Sequence, residues 1–201
     1  MNLEMAPYSI GLSQPALIRK GLEMLGLTDC YSSESLTDRI MFYTDATWAE
    51  DQETRISQSG SIAFWKSCPI LWNSKKQKNI TMSSTESELN ALSDGEQENQ
   101  WLSFLVEELW KLKLEPTIFH VDNRGLMEKL KNFGSNSKTK HLDIKIKNLR
   151  EKFNNREIDV RLVPSEAMIA DSLSKAAPFS SVKKLSDKCL TVISPSKQEG
   201  C

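Results

Sequence analysis

Asp45 ends the apolar run IMFYT, and Asp122 ends TIFHV. Both runs are short and rich in β-branched or aromatic residues, so each predicts a strand with an aspartate at its carboxyl end. If the two strands lie parallel and adjacent, both carboxylates emerge at one edge of a sheet, where open α/β sheets bind their ligands. Two apposed carboxylates repel unless a cation or a shared proton lies between them, and oxygen-rich clusters select hard cations such as Mg²⁺. An aspartate after one strand is an ordinary turn residue. It is the pair that suggests chemistry.

The stretch MSSTESELNAL (82–92) contributes Glu86 and Glu88 at the start of a helix predicted over 85–112. At about 100° per residue, Glu88 heads a stripe of Leu92, Gly95, Asn99, Leu102, Val106 and Leu109 that should face the sheet. Glu86 falls on nearly the opposite side with Asn90, Asp94 and Glu108, towards solvent. A carboxylate at the head of a buried stripe needs a counter-charge, because burying an unpaired ionised group is very costly. An equally weighted alternative is a capping box in which Glu88 answers Thr85. Asp171 lies early in a helix predicted over SEAMIADSLSK (165–175), N-capped by Ser165, where the helix dipole also favours an acid.

The elements that must position these acids read as three strands (IMFYT, GSIAFW, PILWN), the long helix, a strand (TIFHV), a short helix (NRGLMEKLKNF), an amphipathic helix (HLDIKIKNLREKF), a strand (IDVRL) and a final helix. The order βββαβααβα predicts an α/β fold, a mixed five-stranded sheet with helices on its faces. Residues 1–38 read as a separate segment with one short helix and a Ser-rich linker, 39–176 as the main domain, and 177–201 as a polar tail.

The chain has 201 residues, enough for one domain with a sizeable core. Its net charge of −1 excludes whole-chain attraction to a polyanion, but the charge is segregated. Residues 86–115 carry eight acidic side chains against Lys111 and Lys113, and residues 131–156 carry eight basic ones against Asp143 and Glu151. Cations and a polyanion could thus occupy separate parts of one site. The four cysteines form no CxxC pair, which argues against a metal cluster or disulfide framework and for reduced thiols. No secretory signal and no apolar run near the ~20 residues of a membrane span are present, so a soluble protein of the cytoplasm or nucleus with no membrane partner is expected.

The motifs YTDATWAED, NSKKQKNITMSSTESELNAL, HVDNRG, KTKHLDIKIKNLRE and VPSEAMIADSLSK occur in an order that resembles the ribonuclease H domain of the Pol polyprotein of copia-type long-terminal-repeat retrotransposons. The likeness covers roughly residues 40–176. Residues 8–30 resemble the last stretch of the reverse transcriptase domain that precedes it. Only YSSESLTDR intervenes where the family has a longer connection, and no polymerase aspartate pair is present, as in a fragment or an internally deleted copy.

The resemblance implies a ribonuclease H fold and endonucleolytic cleavage of the RNA strand of RNA–DNA hybrids. Its alternative is a catalytically inactive remnant that only binds nucleic acid. The implied catalytic and metal-binding set is Asp45, Glu88, Asp122 and Asp171, holding two Mg²⁺ ions, with Mn²⁺ as the substitute. Asp45 serves both ions, Glu88 and Asp122 one, and Asp171 the other. Ser83, Ser84 and Asn123 are the expected contacts to phosphate or 2′-hydroxyl groups. Lys138, Lys140, Lys145, Lys147, Arg150 and Lys152 are expected to follow the duplex backbone without reading sequence, and His141 to serve as a cap or a phosphate contact. A polymerase partner would be a reverse transcriptase supplied by another chain, and the oligomeric state stays open. Many members carry a histidine on a loop before the last aspartate. Arg161 stands there instead, which leaves no histidine proton shuttle.

Overall fold

The structure, a computed structural model, describes residues 2–6, 9–13, 38–66, 68–131 and 140–189. At the amino end β1 (Asn2–Ala6) and β2 (Ser9–Ser13) form an antiparallel hairpin, which the sequence reading did not expect. The helix and linker read after it lie outside the described residues.

The remaining strands form one sheet: β3 (Arg39–Ala46), β4 (Gln58–Trp65), β5 (Cys68–Lys76), β6 (Glu115–Val121) and β7 (Ile158–Leu162). Their order is β5-β4-β3-β6-β7, with the first three antiparallel and β6 and β7 parallel to β3. The helices are α1 (Ser84–Trp110), α2 (Arg124–Lys131), α3 (Lys140–Asn154), α4 (Asp171–Ser174) and α5 (Phe179–Cys189). The predicted mixed sheet and its βββαβααβα order are therefore observed.

Alternation along β3 and β4 divides the interior in two. Ile40, Phe42, Ala63 and Trp65 face α1, α2 and α3, together with Phe119, Leu126 and Leu149. Met41, Tyr43, Ile62 and Phe64 face the other way, onto Met168, Ala170, Leu173 and Leu185. A strand covered on both faces reads as a continuous apolar run rather than an alternating one, and GSIAFW shows this. Phe42 and Phe119 stack at 5.1 Å between centroids and join β3 to β6. Gly95 lets α1 lie close on β3, since a Cβ there would meet Thr44 Cγ2 at 2.9 Å.

Three elements depart from expectation. The helix read over 165–175 is split into a 3₁₀ turn at Ser165–Ala167 and the four-residue α4, which begins at Asp171. Pro164, not Ser165, precedes the turn as its cap. Part of the polar tail is helix α5, which places Leu185 and Cys189 against the second core. Leu109, the last residue of the predicted α1 stripe, is 56% exposed, and it is the next residue, Trp110, that packs edge-on against Trp65 of β4.

Candidate metal centre

Parallel pairing of β3 with β6 places Tyr43 opposite His120, so Asp45 and Asp122 fall level two residues further on. The first turns of α1 bring Glu88 to the same edge. A carboxylate oxygen from each of Asp45, Glu88 and Asp122 lies within 4.8 Å of the other two. Asp45 and Glu88 are each 5% exposed, and Asp122 is half-buried.

The hydrogen bonding is incomplete in an informative way. Ser174 Oγ donates to Asp45 Oδ2, and Ser165 Oγ donates to Asp122 Oδ2 at 2.8 Å. Glu88 Oε1 accepts from the Ala46 amide at 3.3 Å, while its buried Oε2 has no hydrogen-bond partner. Burial above all, then the charges of Asp45 and Asp122, pushes the Glu88 carboxyl well above its usual range. Burial likewise raises Asp45, against the lowering hydrogen bond from Ser174. A hard cation would remove both penalties, and an all-carboxylate donor set suits Mg²⁺ or Mn²⁺. The residues present therefore fit a divalent metal.

Both raised carboxylates impose a pH dependence. The folded chain holds these protons more tightly than the unfolded one, so the stability they contribute is complete below about pH 4 and lost as pH rises through the raised values. In EDTA the protein is expected to melt lower at about pH 8 than at about pH 5 for this reason, and Glu88→Gln should flatten the difference. Mg²⁺ added at the higher pH should restore the midpoint. Thermal melts of the two proteins check this, and identical pH profiles would contradict it.

Asp171 stands at the first position of α4, beside the triad rather than within it. Its carboxylate pairs with Lys175, whose ammonium is held protonated above its usual range chiefly by that bond. Asp171 still adds to the negative charge felt by Asp45.

The two glutamates separate, though not as the helical wheel suggested. Glu86 is 6% exposed rather than facing solvent. Its Oε2 accepts from the Met82 amide at 2.8 Å, while the Glu86 amide donates to Ser83 Oγ at 3.2 Å. This is a capping arrangement with Ser83 as N-cap, so the capping role falls to Ser83 and Glu86 rather than Thr85 and Glu88.

Several expected nucleic-acid contacts already have internal duties. Ser83 caps α1, and Asn123 Oδ1 caps α2 by accepting from the Leu126 amide at 3.0 Å. Lys145 Nζ donates to Asn90 Oδ1 at 2.7 Å, and Asn90 in turn donates to buried Gln77. Lys152 pairs with buried Glu96, and Arg150 donates to the Lys129 carbonyl. Ser84 is exposed. Lys138 lies outside the described residues. Lys140 and His141 open α3, but their side chains are likewise outside what is described. His120 stacks on Tyr43 at 4.4 Å, and Arg161 pairs with Asp159. Sequence reasoning missed Ser174 and Ser165, whose hydroxyls meet acids 129 and 43 positions away.

The sheet order, the helix placement and the acids at the strand ends define a ribonuclease H-like α/β domain. Among solved structures, LC11-RNase H1 in complex with an RNA/DNA hybrid matches 73% of this chain and 99% of that one, with a TM-score of 0.51 and 16% identity. No family model matches. The retrovirus-related Pol polyprotein from transposon RE1 of Arabidopsis thaliana is 31% identical over 155 residues, which is 77% of this chain and 11% of the relative. That from transposon RE2 of the same plant is 33% identical over 133 residues, which is 66% of this chain and 9% of the relative. The chain belongs with the ribonuclease H domains of copia-type Pol polyproteins, and it spans about a tenth of the length of the curated relatives it matches. Among the described residues no helix is long and apolar enough to cross a membrane.

Proposed function

We propose that the chain hydrolyses the RNA strand of RNA–DNA hybrids in a reaction that depends on Mg²⁺. The observation that carries this reading is the Asp45–Glu88–Asp122 cluster, with Asp45 and Glu88 buried and one Glu88 oxygen left without a hydrogen bond. Two such ions, when bound, activate a water, neutralise the scissile phosphate and stabilise the departing 3′-oxygen. The protein's own share is positioning. Asp45, near the end of β3, would serve both ions, Glu88 and Asp122 would hold one, and Asp171 would hold the other. Exposed Ser84, one helical turn before Glu88, offers its hydroxyl to a 2′-hydroxyl, the group that marks RNA. Lys147, exposed on α3, is left to follow phosphate, since Lys145, Arg150 and Lys152 are engaged internally.

The test is cleavage of a labelled RNA–DNA hybrid with Mg²⁺ or with EDTA, beside RNA and DNA duplexes. Asp45→Asn purified in parallel serves as the blank for contaminating nuclease. RNA-strand cleavage is expected only for the hybrid and only with Mg²⁺. Salt-sensitive hybrid binding without cleavage would instead favour an inactive nucleic-acid-binding remnant.

A further inference from the structure

We propose that Ser174 is a positioning residue of the metal centre, fixing Asp45 through its hydroxyl and locking the Asp171-bearing helix onto β3. This rests on the metal-dependent reading above. Ser174 is fully buried, and its Oγ donates to Asp45 Oδ2. The same Oγ lies 3.1 Å from the Asp171 carbonyl, but a hydroxyl has one proton and the charged acceptor makes the stronger bond. The bond from Ser174 thereby fixes the orientation of the Asp45 carboxylate within the cluster.

The backbone of Ser174 makes a second link. Its carbonyl accepts from Thr47 Oγ1 at 3.4 Å, so Ser174 is tied both to Asp45 on β3 and to the residue that follows the strand. A four-residue helix such as α4 has no stability of its own and must be held by tertiary contacts. Gly60, paired with Asp45 across β3 and β4, makes room for it. Lys175, next in sequence, pairs with Asp171. One short turn thus sets the orientation of an acid on β3 and the place of an acid on α4. Hydrogen-bonded supports of metal ligands commonly have this effect on affinity.

The experiment is calorimetric titration of hybrid-free protein with Mn²⁺, with thermal melting in EDTA as the check on folding. Ser174→Ala is expected to weaken Mn²⁺ binding by about tenfold, the lower end of what loss of such a support costs. Ser174→Thr, which keeps the hydroxyl, should restore most of it. Wild-type affinity in Ser174→Ala overturns the inference while leaving the metal centre standing. So does a threonine variant that melts like wild type but binds as weakly as alanine. Wild-type protein that takes up no Mn²⁺ overturns the metal centre and this inference together.

Discussion

Glu88→Gln and Asp45→Asn are each expected to abolish Mg²⁺-dependent hybrid cleavage, whereas Glu86→Gln should keep most of it. The expected loss is roughly a thousandfold or more, because a metal ion's charge stabilisation is worth several kcal/mol and each ~1.4 kcal/mol is a factor of ten. An amide cannot supply the charge that a hard cation needs. Without metal, stability should move the other way. Glu88 is buried, unpartnered at Oε2 and held among like charges, so a neutral glutamine relieves a penalty. The joint outcome, lower activity with a higher melting point in EDTA, separates loss of the site from loss of the fold. For Glu86→Gln a carbonyl oxygen still reaches the Met82 amide, so α1 keeps its cap. Initial rates on a labelled hybrid and melting curves check both statements. An inactive Glu86→Gln beside an active Glu88→Gln would reverse the assignment.

Gly60→Ala is expected to give the largest loss of stability together with a loss of metal binding. A Cβ at Gly60 would lie 2.7 Å from the Ala170 oxygen, the Leu173 carbon and the Ser174 nitrogen. All three are backbone atoms, so no side chain can swing aside and α4 itself must move. Overpacking of this kind costs about 1–3 kcal/mol, and a domain of this size loses roughly 2–4 °C per kcal/mol. The displaced turn carries Asp171 and Ser174, so Mn²⁺ affinity should fall in the same protein. Gly125→Ala is the comparison, since its Cβ would meet only side-chain atoms, Thr85 Oγ1 at 3.0 Å and Asn123 Oδ1 at 3.2 Å. Equal melting points for the two variants would show that α4 does not rest on Gly60 as described.

Much of this site is legible in the sequence because local rules suffice for it. Apolar runs ending in Asp45 and Asp122 mark strand ends, and the parallel pairing of those strands brings both aspartates to one edge of the sheet. Glu88 could be placed because helical periodicity fixes which residues share a face, and Leu92, Gly95, Asn99, Leu102 and Val106 are all buried as the stripe requires. The motifs did the rest, since their order and spacing follow the chain.

The wheel failed for Glu86 because it assumes that a helix has one contact face. The opening turns of α1 are enclosed on several sides, with Gln77 donating to the Ser87 carbonyl and Lys145 reaching Asn90 from α3. The internal bonds made by basic residues of α3 were hidden from local patterns in the same way. Glu96 on α1 draws Lys152 inward, an ion pair joining residues 56 positions apart. The close approach of α4 to Gly60 could not be read either, because it joins residues more than a hundred positions apart.

The sequence by itself therefore determined the order of the five sheet strands and of the helices between them, the two aspartates at strand ends and the place of Glu88 on the buried stripe, because each follows from periodicity over a few neighbouring residues. Tertiary structure alone decided that Glu86 is buried as a cap, that Lys145 and Lys152 serve the interior, and that Ser174 holds Asp45. Those outcomes depend on contacts between residues distant in the chain, and no local pattern encodes which of them will meet.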